Sequence, residues 1–190
     1  MVSTPNTTAP PNELGLVIDF VNTRDVEAGS DDIADPPALA AWLSEHGLNA
    51  GGAPPRTAEH RDAIELREAL RSEMLANNGE APDEAASATI ERAAGRGSLR
   101  VRFDGGTARL EADGDSVDAA LARLLIPVFD AMRDGSWSRA KACRADDCQW
   151  AFYDRSRNRS GVWCDMAVCG NRTKVRAFRG RAPGPKPPAA

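Results

Sequence analysis

Tyrosine occurs once and histidine twice in the 190 residues, and aromatic residues make up only 5% of the chain. Little imidazole chemistry can come from His46 and His60, which read as ordinary surface residues. His46 is followed by Gly47-Leu48 and His60 by Arg61-Asp62, so the H-x-E segment of a zinc deaminase is missing. A phosphate-cradling glycine loop, a dinucleotide-binding glycine pattern and a nucleophile–base pair are missing too, which removes the usual sequence grounds for an enzyme. Long apolar runs are also lacking. The longest, residues 119–132, is interrupted by Arg123 and Asp130 and is shorter than the roughly 20 residues of a membrane helix. The first residues show no basic segment followed by an apolar one, so no secretory signal is expected and the chain reads as cytoplasmic, with no membrane partner.

Cysteine is scarce as well, but it is not scattered. Cys143, Cys148, Cys164 and Cys169 form the pattern C-x4-C-x15-C-x4-C within 27 residues. In a reducing compartment, clustered thiols point to metal ligation rather than disulfides. Two pairs of soft thiolates separated by a short loop suit tetrahedral zinc, each pair closing one turn around the ion. The C-x4-C spacing matches poorly the C-x-x-C of thiol redox proteins. One structural Zn²⁺ is therefore the expected cofactor, and a shell of four thiolates leaves it no open position for catalysis.

A net charge of −4 conceals an asymmetry. Residues 1–138 hold 12 Lys/Arg against 24 Asp/Glu, whereas residues 139–181 hold 11 against 4. The cysteine-bearing piece is locally basic within an acidic protein, which suggests a nucleic-acid or anionic partner for that piece alone.

Along the chain, residues 1–12 and 182–190 have the composition of disordered tails. Residues 14–21 are a short apolar run around Asp19, either a strand or a first helical turn. Asp35-Pro36-Pro37 signals a helix start, with Leu39, Trp42 and Leu43 on one face and Gly47 as its end. The clearest helix covers 57–78, where Ile64, Leu66, Leu70, Met74 and Leu75 form an apolar stripe. A weaker helix covers 83–94. Residues 98–103 and 107–112 flank Asp104-Gly105-Gly106, and the alternation of Leu99, Val101 and Phe103 with Arg100 and Arg102 predicts a half-buried β-hairpin. A further helix covers 116–133, and Pro127 is expected to kink or shorten it. Beyond residue 134, a knuckle at Cys143–Cys148, a strand over 149–153, a polar loop over 154–161 and a helix from Asp165 through Arg179 together describe a treble-clef-like finger.

At these residues the chain resembles a known family. Cys143-x4-Cys148, Phe152-Tyr153-Asp154, Trp163-Cys164 and Cys169-Gly170-Asn171-Arg172 with Lys174 are similar to the CGNR zinc finger of bacterial regulators. Upstream, Leu16-Val17-Ile18-Asp19-Phe20-Val21-Asn22-Thr23 resembles the LDFVNT-type opening of the ABATE domain, the usual N-terminal partner of this finger, with Val17-Ile18 in place of Cys-Leu. The resemblance implies a stress-induced transcription regulator with a DNA-binding finger at 138–181 and a sensing domain at 13–134. The expected fold is α+β, a mostly helical N-terminal domain with one β-hairpin followed by the small finger.

The cationic helix after Cys169 is the candidate DNA contact. Arg172, Arg176 and Arg179 lie at i, i+4 and i+7 on one face, with Lys174 and Arg181 nearby and Val175 and Phe178 on an adjacent face able to pack on the finger. Arg157 and Arg159 in the polar loop extend the positive surface. Three readings stay open: DNA binding, a solvated helix, or docking of the basic face onto the acidic N-terminal domain. An alternative to duplex DNA is an interaction module for protein or RNA, and a homodimer would supply the second half-site that a single finger lacks. Gly170 fits a close approach of backbone to metal. Asn171 either orients a loop or is simply exposed. In the N-terminal domain, Asp19, Asn22, Trp42 and Arg67 are the candidate pocket for a small-molecule effector, against which stands a structural role that includes an Asp19–Arg67 ion pair.

Overall fold

The computed structural model describes residues 13–48 and 54–179. Both expected tails, Gly180 and Arg181 lie outside the described residues.

Apolar residues at 14, 17, 18 and 21 decide the first element. They share a helical face, and α1 (Leu14–Asn22) buries Leu14, Val17, Ile18, Phe20 and Val21 while Asp19 faces out. A small hairpin that the sequence did not announce follows, with strands β1 (Arg24–Asp25) and β2 (Ser30–Asp31) joined through Gly29 at φ +70°. The helix α2 (Pro36–Glu45) starts as expected, because the Asp35 carboxylate accepts the Ala38 amide at 2.8 Å and the two prolines occupy the first turn.

The long helix α3 (Thr57–Ala76) buries Leu66, Leu70 and Met74, and on the same side two arginines, Arg67 and Arg71. The next helix, α4 (Glu84–Arg96), is capped by Asp83 and buries little beyond Ala86. The α5 helix (Val117–Asp134) is capped by Ser116 and runs through Pro127 without ending there.

Between α4 and α5 lies the β-hairpin of β3 (Leu99–Asp104) and β4 (Thr107–Ala112), in register with Val101 opposite Leu110 and Phe103 opposite Ala108. It is not half-buried as its alternation predicts. Only the Leu99/Ala112 end packs on Ala119 and Ala122 of α5, while Phe103 is 81% exposed and Val101 56%. Alternation assigns residues to a face, but it does not place anything beneath that face.

Strands β5 (Ala140–Ala142) and β6 (Ala151–Tyr153) pair antiparallel in the finger, and the final helix α6 (Asn171–Arg179) follows a single π-turn at Met166–Gly170. The mostly helical N-terminal part and the finger share one continuous core, in which Trp137, Ala140, Ala142 and Ala151 join the residues of α1, α2, α3 and α5. Among the described residues no helix is long and apolar enough to cross a membrane.

Polar side chains of the helices complete the backbone of the finger. Asn22 at the end of α1 behaves as a strand residue toward β6: its amide donates to the Ala151 carbonyl at 2.9 Å and its carbonyl accepts the Ala151 amide at 2.7 Å. Arg71 donates to the Gln149 carbonyl at 2.8 Å and to the Val21 carbonyl at 2.7 Å. Asn77 reaches the Trp137 and Ala140 carbonyls, and Asn78 the Ala142 and Val162 carbonyls at 2.7 and 2.8 Å. Buried carbonyls without donors carry a large desolvation penalty, so these contacts decide where the finger sits. Asn78→Ala strands two acceptors and is expected to lower stability by about 1–3 kcal/mol, read from denaturant unfolding of the zinc-loaded protein.

Candidate metal centre and the cationic helix beside it

Each cysteine pair is positioned by its own turn. Cys143 extends β5, its amide donating to the Trp150 carbonyl at 3.0 Å. The knuckle closes when the Cys148 and Gln149 amides both donate to the Ala145 carbonyl, at 2.8 and 3.1 Å, with Gln149 at φ +51°. Asp165 organises the second pair: its carboxylate accepts the Ala167 and Val168 amides, and its carbonyl accepts the Cys169 and Gly170 amides. Asp165 is thus the expected cap, but the turn it opens is π-helical before α6 begins. The wider turn brings Cys164 and Cys169, five residues apart, to the same point.

All four sulfurs lie within 4.8 Å of one another, with Cys148–Cys164 at 3.5 Å and Cys164–Cys169 at 3.7 Å. A tetrahedral ion at 2.3 Å from each sulfur places them about 3.8 Å apart, so the donor set fits zinc. Cys143, Cys148 and Cys169 are buried and Cys164 is half-buried. Hydrogen bonds from Cys148 and Cys164 hold the Cys143 thiol far below its ordinary value, and Cys143 in turn pushes Cys148 and Cys164 up. Thiols crowded in this way cannot all ionise unaided, and a divalent cation is what allows four thiolates to coexist. Zinc bound here supplies a structural crosslink between the knuckle and the π-turn.

Trp163 packs on the cysteine cluster together with Trp150, whereas Phe152 is only half-buried and lies outside that cluster. Gly170 is needed for a different neighbour than expected. A Cβ there would meet Met166 Sδ at 2.5 Å and Trp163 Cδ1 at 3.1 Å, so it is the Met166 thioether and the Trp163 indole, not a cysteine thiolate, that the backbone approaches. Asn171 donates to the Ala167 carbonyl at 2.9 Å and so fastens the turn between the last two ligands.

The polar loop at 154–161 has a buried keystone that sequence reasoning did not single out. Asp154 is 3% exposed and Lys141 4%, and they pair at 2.7 Å. Lys141 also donates to the Arg159 and Gly161 carbonyls, while the Ser156 and Gly161 amides donate to Asp154. Burial raises the Asp154 carboxyl, but the Lys141 bond and those from Ser156 and Gly161 outweigh it and hold the group at about 2. This stabilisation is complete above the ordinary value of 3.8 and is lost as pH falls toward 2.

The candidate DNA contacts are not equivalent. Lys174, Arg176 and Arg179 are exposed on α6, and Arg157 is exposed in the loop. Arg159 is exposed but donates to the Ser138 hydroxyl at 3.0 Å. Arg176 pairs with Asp147 of the knuckle at 2.7 Å. Arg172 is the most enclosed of the described set, with 24% of its side chain exposed. Its guanidinium forks onto Glu27 at 2.7 and 3.1 Å, lies 3.5 Å from Asp147, and donates to Cys169 Sγ at 3.4 Å. Val175 and Phe178 do not pack on the finger as expected; they are 46% and 79% exposed.

The four candidate ligand residues of the N-terminal domain have separate partners. Arg67 forks onto Asp31 at 2.7 and 2.9 Å, reaches Thr23 and also pairs with Glu68, so the Asp19–Arg67 ion pair does not form. Asp19 is exposed on α1; partial desolvation raises its carboxyl and the charge of His46 opposes this. Asn22 holds β6, and Trp42 is buried between the Phe20 ring at 5.3 Å and the stacked His46 ring at 4.0 Å. The histidines are half-buried rather than surface residues, with His60 Nε2 2.8 Å from the Ile33 carbonyl.

Residues 14–134 match the model of the ABATE family, described as "Putative stress-induced transcription regulator", and residues 139–182 match the CGNR zinc finger. The chain belongs to the ABATE family and carries a CGNR zinc finger at its C-terminal side. None of the curated proteins compared with it matches. Neither family is an enzyme family by description.

Removing one partner of the buried ion pair, as in Lys141→Met, leaves the Asp154 charge uncompensated and is expected to cost about 3–5 kcal/mol at neutral pH, read from denaturant unfolding. Metal analysis should return one zinc per chain. Because the finger shares the core, a strong chelator should lower the thermal transition of the whole protein; a chelator-insensitive transition would contradict the structural role.

Proposed function

We propose that the chain is a zinc-dependent, DNA-binding transcription regulator whose N-terminal domain, residues 13–134, responds to a small-molecule effector or stress signal. The observation that carries this reading is the placement of α6. Zinc ties the π-turn to the knuckle, and the helix that emerges from it exposes Lys174, Arg176 and Arg179. Guanidinium forks on an exposed helix suit phosphate oxygens and guanine edges in a major groove. Arg157 adds exposed charge from the neighbouring loop. Four thiolate ligands fill the coordination sphere of the metal, so the role assigned to zinc is architectural and the chain is read as non-catalytic.

Phe178, 79% exposed next to Arg179, favours a second reading, in which single-stranded RNA stacks a base on the ring. The two readings separate in one titration series with duplex DNA and single-stranded RNA of the same sequence. If α6 binds duplex DNA, log affinity falls linearly with log salt at about −0.9 per phosphate contact. The double substitution Lys174→Ala/Arg179→Ala should then reduce the slope by about 1.8 and weaken binding. Preference for RNA, lost in Phe178→Ala, would select the second reading. Salt-independent or undetectable binding to both would dismiss α6 as a nucleic-acid contact.

A further inference from the structure

Arg172 is the residue of the cationic helix nearest the metal, yet its donors are occupied by acidic groups of the same chain. The contact to Glu27 is a fork-to-fork pair, with each terminal nitrogen donating to its own carboxylate oxygen. Asp147 Oδ2 lies 3.5 Å from one nitrogen, and the other also donates to Cys169 Sγ. The remaining donor, Nε, is buried without a partner. A phosphate oxygen can therefore reach the guanidinium only by displacing a carboxylate.

The position of Glu27 makes the contact a link between the two parts of the molecule. It sits in the turn between β1 and β2, 145 residues from Arg172 in sequence. That small hairpin is anchored at its other end, where Asp31 of β2 receives the buried fork of Arg67 from α3. Two charge pairs, joined by the backbone of the β1–β2 hairpin, thus connect the middle of α3 to the first turn of α6. Its inner pair is buried: Arg67 is 3% exposed and Asp31 17% at the side chain. The outer pair is open to solvent, with Glu27 51% exposed at the side chain. The inner link is built to hold and the outer one to exchange, because an exposed ion pair is weak and screened by salt.

Carboxylate and phosphate compete for a guanidinium fork with the same geometry. We propose that Glu27 is an intramolecular competitor for the nucleic-acid phosphate at Arg172, so that the β1–β2 hairpin clasps the cationic helix in the free protein and releases it in the complex. The inference rests on the DNA-binding reading. Movement of the hairpin then sets how much binding strength the helix can offer, since a shift in the clasped and released populations changes apparent affinity.

The test measures duplex DNA affinity of the full zinc-loaded chain across a salt series, for the wild type, Glu27→Gln and Glu84→Gln. Glu84 lies at the start of α4 and shares the loss of one negative charge without the clasp. Glu27→Gln should bind on the order of two- to fivefold tighter than Glu84→Gln at low salt, the size of an exposed ion pair, with the advantage shrinking as salt rises. A shared affinity for the two variants overturns the clasp while leaving DNA binding intact. Failure of all three proteins to bind overturns the DNA reading and the clasp with it. Equal thermal transitions for the two variants establish that the difference is not a folding effect.

Discussion

The finger's polypeptide is too short to satisfy its own backbone, and the helices beside it complete the hydrogen bonding. A two-stranded sheet of three-residue strands and the loops beside it leave carbonyls facing inward, and those of Ala140, Ala142, Gln149, Ala151 and Val162 receive side-chain donors from α1, from α3 and from Asn77 and Asn78 just past its end. Asn22, Arg71, Asn77 and Asn78 are therefore conditions for the metal centre as much as the cysteines are. They fix the β5–β6 pair, Cys143 directly follows β5, and Cys143 fixes where a second cysteine pair must arrive. The zinc crosslink and the amide docking stabilise one another, since each holds in place the backbone that the other requires.

The metal centre was legible in the sequence because thiolate clusters have few alternative uses and their spacing is a local property. The helices were legible where apolar residues recur at helical period, as in α2 and α3. What could not be read was the destination of polar groups on those helices. Arg67 and Asn22 stand out in the sequence as polar residues in apolar surroundings, and this looks the same whether they bind a ligand or, as here, a carboxylate on β2 for Arg67 and a backbone 129 residues away for Asn22. Arg71, Asn77 and Asn78 gave no signal, because an arginine within an amphipathic helix and asparagines just past its end are ordinary in a sequence. The hairpin of β3 and β4 failed in the opposite sense: its alternation was correct, but burial depends on what lies below a face, and nothing local encodes that. Asp154 was noted as part of a motif, while its pairing with Lys141 follows from the antiparallel register of β5 and β6, which places Lys141 opposite Phe152.

The charge asymmetry acquires a geometric meaning once the structure is known. The acidic part and the basic part do not merely coexist; they meet where Glu27 pairs with Arg172 and Glu80 with Arg144, while Asp147 of the finger itself holds Arg172 and Arg176. Opposite charge therefore contributes to the orientation of α6, alongside the zinc-bound turn beneath it. The exposed Val175 and Phe178 show that apolar packing against the finger is not what orients the helix.

Because Asn22 pairs with β6 as a strand residue would, the finger is not a bead on a flexible tether. Tethered fingers can swivel to follow a groove, each finding its own angle. Here the direction in which α6 points is a property of the helical body, fixed through α1 and α3. In any assembly of two chains, the separation and angle between the two cationic helices would be set by how the bodies pack. The relative placement of those helices would then be encoded far from the helices themselves.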